Sequence, residues 1–183
     1  MEQILYIDTQ RLELLPCSLE VAQATLAKDK PLLEKLLTAF IPDDWYNTEV
    51  QAFLPKYIEL LKSDPSQLGY GVWLIIRTDD STLVGDLGFG GKSDDETLEI
   101  GYEILTAYRN EGYATEAVEA LIDFAFTQLA AKKIIAHTPI DNAASIRVLE
   151  KLGMQNVEEM KGTDTLGLEV YKWELTLESR NSQ

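Results

Sequence analysis

The chain is poor in the residues that carry most metal and redox chemistry. It has one cysteine, Cys17, and one histidine, His137, among 183 residues. No intrachain disulfide is possible, and no zinc-ligand spacing occurs. A Ser–His–Asp arrangement would have to use His137. Basic residues are also few: 16 Lys and Arg stand against 31 Asp and Glu, a formal charge of −15. Phosphate backbones and anionic membrane surfaces select basic faces, so this balance argues against a nucleic-acid or membrane partner. No apolar run approaches the length of a membrane span. Met1 to Asp8 has neither a basic n-region nor a long apolar h-region, so no signal peptide is expected and the expected location is cytoplasmic. Internal repeats, low-complexity segments and a Pro/Gly/Ser-rich linker are all missing.

What remains is an ordinary globular composition, 45% apolar and 26% charged, long enough to bury a sizeable core. Length favours one domain, placed at residues 1–178, with 179–183 expected to be a disordered tail. A short strand is expected around Leu12, Leu14 and Leu15. Ser18 then reads as an N-cap, and a helical pattern punctuated by Pro31 runs to Phe40. A turn follows at Ile41–Trp45, and a second helical pattern runs from Thr48 to about Lys62. Tyr70–Ile76 is a nearly continuous apolar run, as in a strand buried on both faces. Asp79–Ser81 turns the chain into a second strand, Thr82–Phe89. A third, Leu98–Leu105, alternates cleanly: Leu98, Ile100, Tyr102 and Ile104 face one way, Glu99, Gly101 and Glu103 the other.

The strongest helical stripe follows, with Ala114, Ala117, Val118, Leu121, Ile122, Ala125 and Leu129 at three-and-four spacing. Ile134–Ala136 is a short buried strand. A helix capped by Asp141 or Asn142 ends at Gly153, and a final alternating strand runs from Tyr171 to Leu177. That final strand is a candidate for pairing across a homodimer; a monomer is the other expectation. The order implies an α/β (α+β) fold with helices on a mixed central sheet, and a parallel, right-handed crossover between Leu98 and Ala136.

The turn Tyr108-Arg109-Asn110-Glu111-Gly112-Tyr113-Ala114-Thr115 is the most informative stretch. A glycine there lets backbone approach a ligand, and the helix that follows opens with unpaired N–H groups that suit a pyrophosphate. Alone, the same turn is also a plain helix start. Its context adds more. Arg109-x-x-Gly112-x-Ala114, directly after the strand ending in Ile104-Leu105, resembles the acetyl-CoA loop of the GNAT N-acetyltransferases. So do Tyr113-Ala114-Thr115-Glu116-Ala117, Glu99-Ile100-Gly101-Tyr102, and Asn142-x-x-Ser145-x-x-Val148-Leu149-Glu150-Lys151-Leu152-Gly153-Met154. The resemblance is specific from Thr82 to Met154, weaker over Thr9 to Lys62, and nearest to the Rim-like branch that acetylates ribosomal-protein N-termini.

The resemblance implies a mixed, mostly antiparallel sheet splayed at an acetyl-CoA cleft, helices on both faces, and direct transfer of acetyl from acetyl-CoA to a primary amine. The acceptor it implies is a protein N-terminus or a small amine, with no metal. Backbone groups of Glu103, Ile104 and Leu105 would hold the pantetheine arm and acetyl oxygen. Those of Asn110, Glu111, Gly112, Tyr113, Ala114 and Thr115, beside Arg109, would hold the pyrophosphate. Glu99 falls where family members place a general base, and Glu103 is the second candidate; either could equally be a solvated strand residue. Asn142 would bond the pantetheine or a strand backbone, or simply cap its helix. Many family members carry a thiolate-protonating tyrosine where this chain has Leu149, which leaves Ser145 as the candidate. Glu111 replaces a basic or neutral residue and fits beside phosphates only if it turns to solvent.

The remaining signals are weaker. Gly85-Asp86-Leu87-Gly88-Phe89-Gly90-Gly91 opens no helix and reads as a bent, closely packed strand. His137 reads as structural or cleft-lining, and Cys17 as packing. Trp45, with Asp43 and Asp44, lies in the segment expected to cover the acceptor site. The rival readings are a non-catalytic acyl-CoA-binding module and a nucleotide-binding regulator.

Overall fold

The structure is a computed structural model and describes residues 5–161 and 167–182. Its sheet is organised around the apolar run that follows Gly71. This run forms a strand, Val72–Arg77, whose side chains alternate between two cores. Trp73 and Ile75 join one, and Val72, Leu74 and Ile76 join the other. A strand covered on both faces has no polar side, which explains its unbroken apolarity. In chain order the strands are β1 (Ile7–Asp8), β2 (Leu12–Pro16), β3 (Val72–Arg77), β4 (Thr82–Phe89), β5 (Thr97–Ile104), β6 (Lys133–Pro139), β7 (Gln155–Lys161) and β8 (Glu169–Thr176). They form one sheet in the order β1-β2-β3-β4-β5-β6-β8-β7, with β5 and β6 its parallel neighbours.

Helices α1 (Leu19–Leu26), α2 (Lys30–Leu37) and α3 (Val50–Ser63) bury one core against the sheet. Ser18 caps α1 by accepting from the Val21 N–H, and Asp29 caps α2 in the same way just before Pro31. Helices α4 (Tyr113–Gln128) and α5 (Ala143–Lys151) cover the other face. Helix α4 buries Tyr113, Ala117, Val118, Leu121, Ile122, Ala125 and Phe126. Trp45 is buried in the α1–α3 core, and Asp43 pairs with Lys30 at 2.8 Å. The segment Ile41–Trp45 is therefore packed turn structure, and Trp45 does not line a cleft.

Three features differ from expectation. Helix α6 (Leu177–Asn181) occupies most of the expected tail; a capping box at Thr176 and Ser179 starts it. Arg180 then ties it to Glu119 and Asp123 on α4. Strand β8 is interior, flanked by β6 and β7, so its edges are already used and it cannot pair across a dimer. Strand β7 has almost no buried side chain, so no alternation announces it.

Two irregularities shape the site. The β5–β6 ladder holds only at Thr97–Lys133, Leu98–Ile134 and Glu99–Ile135. Beyond it β5 stays with β4 and β6 stays with β8, so the sheet splays open. In β4, Gly85 pairs with Ile75 but Leu83 pairs with Ile76, which leaves Val84 as the extra residue of a bulge. A bulge inverts the alternation beyond it. Val84, Leu87 and Phe89 therefore share the α4-side core, and Asp86 turns to the opposite face.

Candidate active site

The turn after β5 presents backbone donors. Asn110 and Gly112 have φ of 63° and 82°, in the left-handed region where glycine is favoured. Gly112 is the N-cap of α4, and no side chain caps this end. The N–H groups at Tyr113, Ala114 and Thr115 thus open the helix without a capping side chain, where its dipole is positive. The Arg109 Nε donates to the Ile104 carbonyl at 2.8 Å, folding the turn back onto the end of β5. Glu111 is exposed, and its carbonyl accepts from Arg11 Nη1 at 2.9 Å.

Arg11, which has no motif around it in the sequence, anchors this turn. Its Nε lies 2.8 Å from Glu116 Oε2, and its guanidinium stacks 4.6 Å from the Tyr113 ring centroid. Glu116 also accepts from the Arg11 backbone N–H at 2.8 Å and the Thr9 hydroxyl at 2.6 Å. Burial pushes the Glu116 carboxyl up, but these bonds outweigh it and hold it below the usual carboxylate range. The α4 N-terminus is thereby fastened to the loop joining β1 and β2.

Other polar groups expected at the site are bonded within the fold. The Ile104 carbonyl is taken by Arg109, the Leu105 N–H donates to the Val84 carbonyl, and the Leu105 carbonyl accepts from Tyr108. Leu105 thus closes the strand end. The Asn142 Oδ1 accepts from the Ser145 N–H at 3.1 Å and so caps α5, one of the roles expected of it. Leu149 is fully buried. Tyr102 crosses from β5 to α5, where its hydroxyl donates to the Ser145 carbonyl at 3.2 Å. Burial, partly opposed by that bond, raises the phenol to about 12. Ser145 and Tyr102 are thus brought together beside the opened strands.

On the opposite face of β5 lies a cleft of about 360 Å³. Its floor comes from β4 and β5, its wall from Glu49, Val50 and Phe53, and His137 reaches it from β6. Glu99 stands where β5 and β6 part, and its Oε1 lies 2.7 Å from His137 Nδ1. One diagonal carboxylate–imidazole pair therefore bridges the mouth of the splay. Glu103 faces the same cleft; its Oε2 accepts from the Glu49 N–H at 3.0 Å, and its Oε1 lies 3.9 Å from Arg109. Asp86, opposite Glu103 across the strands, is only 7% exposed. Burial, with Glu103 and Glu49 close by, pushes its carboxyl well above the usual range. The sequence hides Asp86 because the bulge breaks the alternation that would have placed it. Among the described residues no three His, Cys, Asp or Glu side chains group as a metal site, and no helix is long and apolar enough to cross a membrane.

Comparison with known proteins places this geometry in a family. Residues 11–155 match the family described as "Acetyltransferase (GNAT) domain". The chain is 29% identical over 148 residues to the uncharacterized N-acetyltransferase YjdG of Bacillus subtilis (strain 168), covering 80% of this chain and 88% of that protein. Its fold is similar to that of Mycobacterium smegmatis RimJ in complex with CoA-disulfide, with a TM-score of 0.67, 20% identity, and 96% and 88% of the two chains covered. It is also similar to a spermidine N-acetyltransferase chimera of SpeG from Vibrio cholerae and hSSAT, with a TM-score of 0.69, 12% identity, and 95% and 100% covered. With a matching domain over most of its length and a splayed sheet beside an uncapped helix, the chain belongs to the GNAT family and is an acetyltransferase.

Proposed function

We propose that this acetyltransferase moves an acetyl group from acetyl-CoA to a primary amine by direct transfer. The observation that carries this reading is the fork where β5 leaves β6 after Glu99 and Ile135. It has the uncapped start of α4 at one end and the Glu99–His137 pair at its mouth. The N–H groups at Tyr113, Ala114 and Thr115 receive the pyrophosphate, with Asn110, Glu111 and Gly112 shaping the turn. Glu111 directs its charge to solvent, so the backbone donors act unopposed.

An α-amino group or a lysine is protonated near neutral pH and must lose a proton to attack. Glu99, held against His137, accepts that proton; a positioned carboxylate or imidazole suits the task. The amine nitrogen then bonds to the thioester carbon, and a backbone N–H on the exposed side of β5 stabilises the oxyanion. The carbon–sulfur bond breaks, the departing thiolate takes a proton from the Ser145 hydroxyl, and the nitrogen's remaining extra proton leaves through solvent and restores that hydroxyl. Net charge and the acidic cleft favour a cationic acceptor, either a small amine or a protein N-terminus.

The test is to mix purified protein with acetyl-CoA and a panel of amines and N-terminal peptides, following free thiol and acceptor mass. Acetylated acceptor with stoichiometric CoA release supports the reading. Saturable acetyl-CoA binding with no turnover on any acceptor would instead make the chain an acyl-CoA-binding module.

A further inference from the structure

Asp86 is not used by the mechanism above, yet it is the most costly side chain in the cleft. Its Oδ2 atom is buried and has no hydrogen-bond partner among the described residues. A buried carboxyl without a partner carries an uncompensated desolvation cost. The β4 bulge aims it into the cleft rather than into the α4-side core. There it meets Glu103 on the paired strand, which is in turn held by the Glu49 N–H at the start of α3. Three carboxyl-bearing residues from three elements thus converge at one corner. Glu99 lies four residues back along β5, a strand distance of roughly 13 Å. The cleft therefore has two separate polar ends: the Glu99–His137 pair at the fork, and the Asp86 corner deeper along the same strand.

We infer that the corner formed by Asp86, Glu103 and Glu49 is a subsite for a second ammonium group on the acceptor, so that the preferred substrate is a linear aliphatic diamine. This rests on the amine-acceptor reading of the same cleft. An ammonium group supplies both things the corner lacks: donors for the unpartnered Asp86 oxygen and positive charge against neighbouring carboxylates. A neutral hydroxyl or amide would satisfy the first need only. Because Asp86 is nearly enclosed, the entering group must be slender; an alkyl-ammonium end fits where a folded protein surface does not. The methylenes between the two nitrogens would lie along Gly101 and against Val50 and Phe53. A monoamine leaves the corner unpaired.

Occupation also moves a proton. The titratable and charged groups facing Asp86 are Glu103 on β5, Glu49 ahead of α3 and Cys17 at the end of β2, with Glu99 and His137 across the cleft and Arg109 beyond Glu103. The acidic ones among them favour the protonated form of Asp86 while the corner is empty of cations. An arriving ammonium favours the ionised form, so binding releases a proton to solvent.

Two measurements on the full chain test this. Calorimetric titration with diaminopropane through diaminooctane, without acetyl-CoA and in two buffers of different ionisation enthalpy, counts released protons directly. Saturable binding with proton release, strongest at one chain length and missing for the matched monoamine, is expected. Binding without proton release, or equal binding of monoamine and diamine, overturns the subsite. In steady state, Asp86→Asn should lower the ratio of kcat/KM for the best diamine over its monoamine at least tenfold, with the acetyl-CoA Kd as the check on folding. An unchanged ratio overturns the assignment, and so does a wild-type preference for peptide N-termini over every diamine. If Asp86→Asn fails to fold, the proton count on the wild type still decides. Diamine binding with proton release but no acetyl transfer would sink the transferase reading and keep the subsite. Transfer without diamine preference would do the reverse.

Discussion

Glu99 and Asp86 share one cleft but sit in opposite environments, and their substitutions should behave differently. Glu99 is half exposed at the fork and engages His137. Glu99→Gln keeps the size and removes the basic oxygen, so turnover at neutral pH should fall about a hundredfold or more, the usual contribution of a general base, with acetyl-CoA affinity little changed. Steady-state kinetics across pH reads this; an unaltered profile would hand the proton to Glu103 or to water. Asp86 is a matter of stability. Its folded-state carboxyl titrates above the unfolded value, so its favourable contribution is complete below about pH 4 and is lost as pH rises toward the folded pKa. Asp86→Asn cannot ionise. The melting temperature of the variant minus that of the wild type should therefore grow between pH 4 and pH 7, and parallel curves would show that Asp86 is not held protonated. Neither the Glu99–His137 contact nor the isolation of Asp86 is legible in the sequence. The first joins residues on two strands, and the second depends on one extra residue in β4.

At the scale of elements, motifs with local causes are read well and partnerships are not. The capped starts of α1 and α5 and the left-handed entry to α4 follow from Ser18, Asn142 and Gly112, because each is decided within a few residues. Strand β7 is invisible because neither face is buried, and Arg11 is unexpected at the α4 turn because it comes from the far end of the domain in sequence. Leu105 looks available in sequence, but its N–H and carbonyl are both bonded within the fold. Gly112 carries a sharp test. A Cβ there would be strained by its φ of 82° and would stand 3.3 Å from Arg11 Nη2. Gly112→Val should weaken acetyl-CoA binding at least tenfold, read by calorimetry, while leaving the fold cooperative. Gly88 tests the tight packing expected of the glycine-rich strand: its Cβ would lie 2.1 Å from the Gly71 carbonyl oxygen. Since backbone must move to relieve this, Gly88→Ala should cost at least about 2 kcal/mol in denaturant unfolding, the upper range of overpacking effects.

For the whole molecule, the mixed sheet and most of its elements follow from periodicity and turns, with β7 and α6 the exceptions. The order of strands does not: β8 inserts between β6 and β7, so the strand expected to serve a dimer is interior, and the expected tail closes over α4 as α6. The splay between β5 and β6 joins the uncapped turn before α4, which we propose holds the pyrophosphate, to an acidic cleft on the other side. The chain's formal charge of −15 would draw in cations, an attraction that salt should weaken. Calorimetric titration of the purified chain with acetyl-CoA, with ATP as control, is the measurement to make. Saturable micromolar binding of acetyl-CoA, lost in Gly112→Val and not reproduced by ATP, is the predicted result. No binding of acetyl-CoA, or equal binding of ATP, would mean that the Arg109–Ala114 turn is only the start of a helix, and would contradict the proposed reaction.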